Sequence, residues 1–295
     1  MPQKKAISEE LAALNSIKDL AESYEEIAVT KMQKIRDFVL KTRDFLTGLS
    51  DVFVDLKASH EREVNELLAK RKKGDKTIID GFQKNGKTLM VYLSSNGRLY
   101  GSVTQKTFRL FIKDLRKPES KDADIIIIGS AGREMYDASG TSKHYDYIDI
   151  PDTNVGIDNI KNTMQKFIKY EKVYVYYGKF GNVVNQNPIA TSITGEDIFE
   201  SEVIETTARE DRFIFEPILE KIFDFFEKEI MANLFSQTLL ENQLARHASR
   251  INAMEEALVH IDEETKKLNQ QKVRIKHLMQ NKKQLETISG VILWS

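Results

Sequence analysis

The sequence predicts an α/β fold plus a long antiparallel coiled coil, in which N- and C-terminal helices pair as a shaft and a central Rossmann-like domain forms a foot. Three observations carry that prediction. Apolar residues alternate at spacings of three and four near both ends of the chain. The middle alternates short apolar runs with amphipathic segments, and it separates the two helical ends by enough chain for one sheet domain. An apolar residue every 3.5 positions makes a stripe too narrow for a globular core and suited to one partner helix. Two such stripes most economically bury each other, and the return path through an intervening domain makes them antiparallel.

The first stripe is Leu14, Ile17, Ala21, Tyr24, Ala28, Lys31, Ile35, Phe38, Thr42, Phe45, Leu49, Val52 and Leu56, with only Lys31 and Thr42 polar. The helix is expected to continue through His60-Glu61-Arg62-Glu63 and Leu67-Leu68, and the basic stretch Lys70 to Asp75, punctuated by Gly74, ends it. Leu89 to Leu93 and Ile125 to Ile128 read as buried parallel strands. Between them Gln105 to Arg116 has helical spacing through Phe108, Phe111, Ile112 and Leu115. Asp158 to Tyr170 is a second amphipathic helix and Val173 to Tyr177 a third strand, an order that argues for one parallel-rich sheet. Asn182 to Ile204, with Pro188 and Gly195, has no regular pattern. Phe213-Ile-Phe215 reads as a last extended piece before Pro217 opens the long C-terminal helix.

That helix carries the second stripe: Leu240, Leu244, His247, Ile251, Met254, Leu258, Ile261, Thr265, Leu268, Lys272, Ile275 and Met279. At 1.5 Å per residue each helix would run about 65–110 Å. Two core helices of an ordinary α/β protein are the competing expectation, but the pattern outruns the usual helix length. The expected organisation is residues 1–72 as N-terminal shaft helix, 73–205 as the α/β foot, and 206–295 as C-terminal shaft helix.

Composition narrows the function. A net charge of −1 gives no overall attraction to nucleic acid or acidic lipid. Cysteine is absent, which excludes disulfides and thiolate metal sites. No run of about 18 apolar residues exists and the polar start is not a signal peptide, so the expectation is a cytoplasmic chain without membrane insertion. Charge is uneven: Lys266 to Leu285 holds six lysines and Arg274 with no acid, whereas Glu9 to Glu26 holds six acids against Lys18. Solvated faces explain most of this, since exposed ion pairs contribute under about 1 kcal/mol each.

One stretch matches a phosphate-binding pattern by letter. Gly81-Phe-Gln-Lys-Asn-Gly86-Lys87-Thr88 fits G-x-x-x-x-G-K-[ST], which works only where the loop opens a helix whose amides hold the phosphates. The residues after Lys87 read as a strand, so a small P-loop enzyme using Lys87 is the weaker expectation. Gly97 to Gly101 and Gly129 to Gly132 each follow a strand, where α/β sheets often bind ligands, but glycines there also turn the chain. The five histidines are scattered without metal-ligand spacing, and no nucleophile elbow is present. No catalytic residue, cofactor site or metal site is expected.

From Phe213 onward the residues become specific. Phe213-Ile-Phe215-Glu216-Pro217, Gln237-Thr-Leu-Leu-Glu241, His247-Ala-Ser-Arg250-Ile-Asn-Ala-Met254 and Glu286-Thr-Ile-Ser-Gly290 together resemble the gamma subunit of F-type ATP synthases. Ala28-Val-Thr-Lys31-Met32 and Val39-Leu-Lys-Thr-Arg43 are similar to that family's N-terminal segments, and Gly97-Arg-Leu-Tyr-Gly101 stands where it has Gly-Leu-Cys-Gly. The resemblance implies a non-catalytic axle inside a ring of alpha and beta subunits, which carry ATP hydrolysis. It implies a small epsilon-type subunit and a proton-driven membrane ring as load, with the chain peripheral to the membrane. By the same resemblance Tyr24, Lys31, Met32, Arg250, Met254 and Arg274 are ring-contact candidates, and Phe215, Glu216, Pro217, Gly97, Gly101 and Gly290 belong to structural motifs.

Departures qualify this. The family's basic Lys-Ile-Thr-Lys-Ala-Met is here Asp19-Leu-Ala-Glu22-Ser-Tyr24, Ile275 replaces a usual Gln, and about two extra residues lie between Arg274 and Gly290. These point to a diverged chain whose ring or load has diverged too, as in an F-like ATPase repurposed for gliding or surface transport. A static coiled-coil tether is the remaining expectation.

Overall fold

A computed structural model describes residues 2–59, 84–194 and 219–292. Helix α1 spans Pro2–Ser59 and helix α5 spans Leu219–Ile292. Between them lie β1 (Thr88–Leu93), α2 (Val103–Leu115), β2 (Asp124–Ile128), α3 (Ser130–Ala138), β3 (Asp146–Ile148), α4 (Ile157–Phe167), β4 (Lys172–Phe180) and β5 (Gln186–Ser192). The chain forms two compact units, one of Met1–Thr30 with Arg250–Ser295 and one of Lys31–Ser249.

In the first unit the helical ends pair antiparallel. Ile7 and Leu11 bury against Leu268, with Leu14 and Ile275 at the cluster's edge. Further along, Lys18 Nζ donates to Asp262 Oδ1 at 2.9 Å, and the Arg250 guanidinium lies 5.3 Å from the Tyr24 ring centre. Rising numbers on α1 thus meet falling numbers on α5. The α5 seam is the expected one from Ile251 to Ile275: Ile251, Met254, Ile261 and Leu268 are buried, while Leu258, Thr265, Lys272 and Ile275 are half-buried, and only Met279, the last expected position, is exposed.

The α1 seam needs correction by one residue. The less exposed stripe is Ile7, Leu11, Leu14, Lys18, Ala21, Glu25, Ala28, Met32, Ile35, Val39, Thr42, Leu46 and Leu49. It shares Leu14, Ala21, Ala28, Ile35, Thr42 and Leu49 with the expected stripe but replaces Ile17, Lys31, Phe38 and Phe45 by their successors, while the expected Tyr24 and its successor Glu25 are both half-buried. The reason is that α1 carries apolar residues at adjacent heptad positions, so an alternation of three and four can be threaded along either of two neighbouring stripes. Ile17, Phe38, Phe45 and Val52 are consequently 51–61% exposed.

The second unit is built on a five-stranded sheet of order β3-β2-β1-β4-β5, parallel except for β5. Side chains alternate across the strands with period two. Leu89, Val91, Ile126, Ile128, Val173 and Val175 bury on one face with Met164 and Phe167 of α4 and with Met231, Phe235 and Leu239 of α5. Met90, Tyr92, Ile125, Ile127 and Tyr176 bury on the other with Phe111 and Leu115 of α2 and Tyr136 of α3. Both faces are covered, as parallel sheets require.

Three elements escape the sequence pattern. Strand β5 lies within the stretch that has no regular sequence pattern; it carries Pro188, opposite Gly178, and an edge strand tolerates proline because its outer amides need no partner strand. Strand β3 is three residues without an apolar run. Helix α3 begins at Ser130, so Gly129 to Gly132 is a strand-to-helix junction rather than an open loop.

The phosphate-loop pattern also resolves. Gly81 to Gln83 lie outside the described residues, but Thr88 after Lys87 starts β1, not a helix. Lys87 Nζ sits 3.4 Å from Asp124 Oδ1. No helix N-terminus is there to hold a phosphate, so the P-loop expectation is set aside. The expected extended piece at Phe213 to Phe215 and the start at Pro217 lie outside the described residues.

Candidate functional site

In doubly wound sheets ligands bind beyond the carboxyl ends of the strands, where the strand order reverses. Here the reversal falls between β1 and β4, and α5 occupies it. The β1–β4 register ends at Tyr92 opposite Tyr176, beyond which the strands diverge. The Asn242 carboxamide fills the gap: Gly178 N donates to its Oδ1 at 3.1 Å and its Nδ2 donates to Leu93 O at 3.3 Å. A side-chain amide thus stands in for the next peptide rung.

One turn further along α5, Arg246 reaches two more segments. Its Nη1 donates to Ser94 O at 3.0 Å and to Asp152 Oδ1 at 2.7 Å. The Asp152 carboxylate also accepts Asn96 N at 3.0 Å and Gly97 N at 2.6 Å. Asn96 in turn donates to Asp149 and to Ile150 O, and accepts the Ser130 amide, so the loops after β1, β2 and β3 form one network. The Arg246 guanidinium stacks 5.0 Å from the Tyr100 ring, whose edge meets His247.

Burial alone would raise the Asp152 pKa, but Arg246 and the Asn96 and Gly97 amides outweigh it and hold the carboxyl below its ordinary value. A folded pKa lower than the unfolded one contributes stability above about pH 4 that is lost as the pH falls through the folded pKa. Asp152→Asn should therefore flatten the acid limb of a melting-temperature profile below about pH 4. An unaltered limb would show that Asp152 contributes nothing there.

Gly101 closes the site. Its φ of +62° suits glycine, and a Cβ there would run into the carbonyl and hydroxyl oxygens of Ser249 on α5. Every residue from Glu241 to Arg250 is buried, on all sides of the helix. The seam pattern accounts for only Leu244 and His247 in that run. No motif or spacing marks Arg246, Asn242 or Asp152; the signal that could have found the first two is this polar run inside a helix that must bury several faces, whereas Asp152 stands outside it in the loop after β3.

The other expected residues fall into two groups. Arg250 and Met254 are buried, Tyr24 and Met32 half-buried, and Lys31 and Arg274 exposed. Lys272 remains on the seam, whereas Lys31 yields its place to Met32. Arg274 lines a shallow groove with Ala6, Ile7, Gln271 and Ile275. Gly97 and Gly101 lie in the clasp just described, Gly290 is near the end of α5, and Phe215, Glu216 and Pro217 lie outside the described residues.

Two features define the class of this chain: a doubly wound sheet whose ligand crevice is filled by α5, and an antiparallel pairing of the chain's two helical ends. Among the described residues no group of His, Cys, Asp or Glu could hold a metal, and no helix is long and apolar enough to cross a membrane.

Comparison with known proteins makes this particular. The sequence model of the ATP synthase family matches residues 3–277, and the chain belongs to that family. It is 24% identical to the ATP synthase gamma chain of Cytophaga hutchinsonii across 98% of each chain, and 20% identical to that of Pelotomaculum thermopropionicum across 87% of each. Its fold is similar to a chain of the Euglena gracilis mitochondrial ATP synthase rotor in rotational state 1, with TM-score 0.61 and 11% identity over 94% of this chain and 99% of that one. A chain of the central stalk and c-ring of Tetrahymena thermophila mitochondrial ATP synthase matches with TM-score 0.56 and 18% identity over 81% and 99%.

Proposed function

We infer that the chain is the gamma-like central-stalk rotor of an F-type rotary ATPase, transmitting torque between an alpha/beta hexamer and a load. Residues 1–72 and 206–295 serve as shaft and 73–205 as foot. The chain itself is non-catalytic, ATP hydrolysis occurs on beta-like partners, and the load is a membrane ring held with an epsilon-type subunit. It works at the cytoplasmic membrane surface without entering the bilayer. The observation that carries this is the antiparallel pairing of the chain's two ends, Lys18 with Asp262 and Tyr24 with Arg250, in a chain whose family match runs almost end to end. The outward Phe38, Phe45 and Val52, at heptad spacing, supply apolar surface for such partners.

The exposed acids support a second version of the load. Asp19 and Glu22 face solvent where the family resemblance leads one to expect bases. An F-like head driving other machinery fits that surface.

Purification of the native complex through this chain tests both. Alpha-like and beta-like subunits with ATPase activity are expected, and their absence overturns the rotor. A co-purifying membrane ring excludes the substitute load. Among the ring-contact candidates, alanine at exposed Lys31 or Arg274 should lower ATPase turnover of the complex severalfold while leaving the chain's melting temperature within about 2 °C, consistent with surface substitutions. Unchanged turnover in both variants would remove them from the contact.

A further inference from the structure

We propose that Asn242 and Arg246 of α5, with Asp152, form the torque joint of this chain, the point where twist of the long helix passes into the sheet domain. The proposal rests on the rotor reading and adds the residues that tie the long helix to the sheet domain.

The geometry is directional. Asn242 and Arg246 are one helical turn apart, so they project from the same side of α5. Asn242 holds Leu93 at the end of β1 and Gly178 on β4. Arg246 holds Ser94 just beyond β1 and Asp152 beyond β3. Asp152 passes the connection to the Asn96 and Gly97 amides, and Asn96 to Ser130 at the start of α3. One helix face is therefore tied to parts of the chain following β1, β2 and β3 and to β4 itself.

Apolar packing alone would not do this. Met231, Phe235 and Leu239 hold α5 against the sheet, but burial is non-directional and resists separation better than rotation about the helix axis. Hydrogen bonds lose strength steeply with angle, and those to charged groups are the stronger ones. Arg246 and Asp152 are also largely shielded, with side chains 6% and 18% exposed, so water competes little for their contacts. The Gly101 backbone against Ser249 adds a close steric stop on the same stretch of helix.

The test uses the complete native complex with its load, carrying Arg246→Lys, Asp152→Asn or Asn242→Ser in this chain. Arg246→Lys keeps the charge but cannot hold Ser94 and Asp152 with one planar group. The readout is the ratio of work done on the load, such as ion pumping, to ATP hydrolysed. A joint predicts that hydrolysis persists while the ratio falls threefold or more, with Arg246→Lys falling least. A merely structural role would lower assembly and leave the ratio of the assembled complexes unchanged, which overturns the proposal. Because Asp152→Asn is the mildest change in volume, it keeps the comparison available if Asn242→Ser does not assemble. A wild-type chain that enters no ATPase complex would overturn the rotor reading and the joint together. A coupled wild-type complex with coupled variants overturns the joint alone.

Discussion

Phe235→Ala should lower the unfolding free energy by about 3–5 kcal/mol, the range for deleting a fully buried aromatic ring. Phe235 is 0% exposed and sits in the cluster joining α5 to the sheet through Val173, Val175 and Leu89. Its ring meets Phe167 of α4 edge-on at 5.1 Å, so truncation removes an aromatic pair as well as filling volume. Neighbours on three elements cannot collapse into the space together, which places the cost toward the upper part of the range. The check is urea unfolding of the full chain, where the midpoint falls at nearly constant slope. A loss under about 1 kcal/mol would mean that α5 is not seated on the sheet as described.

Gly101→Val is the second large effect. A β-branched residue at φ +62° costs about 1–2 kcal/mol. Forcing its Cβ into the Ser249 backbone adds about 1–3 kcal/mol of overpacking. The two contributions separate by comparison with Gly140→Val, because Gly140 has φ +71° but open space where a Cβ would go. Gly140→Val should therefore show chiefly the conformational cost. Equal losses at the two positions would show that Ser249 does not press on the β1 loop.

Much of the fold was legible because its signals are periodic. The α5 seam from Ile251 to Ile275 stands as expected, since each of its positions has only one apolar stripe to follow. On α1 two stripes compete, and spacing alone cannot choose between Phe38 and Val39. The central strands β1, β2 and β4 announce themselves as apolar runs because both their faces are covered. Strands β3 and β5 lie at the sheet's edges, are polar, and carry no such run. The site was the least legible part. Gly97 and Gly101 were found through motif resemblance, but Arg246 and Asp152 are 94 positions apart and meet only because α5 returns to the crevice. Nothing local marks Asp152, since an acid after a short polar strand looks like any loop residue.

The plugged crevice also restricts how this protein can change over generations. A domain whose cleft stays open can acquire a new metabolite by altering a loop, one residue at a time. Here bulk gained at Gly101 meets a helix already lodged in place and must be matched by bulk lost at Ser249, while bulk gained at Gly97 meets Asp152 and Tyr100, the partners of Arg246 on that helix. Drift should therefore run freely over the outer helical surfaces and proceed only in matched steps around the seat.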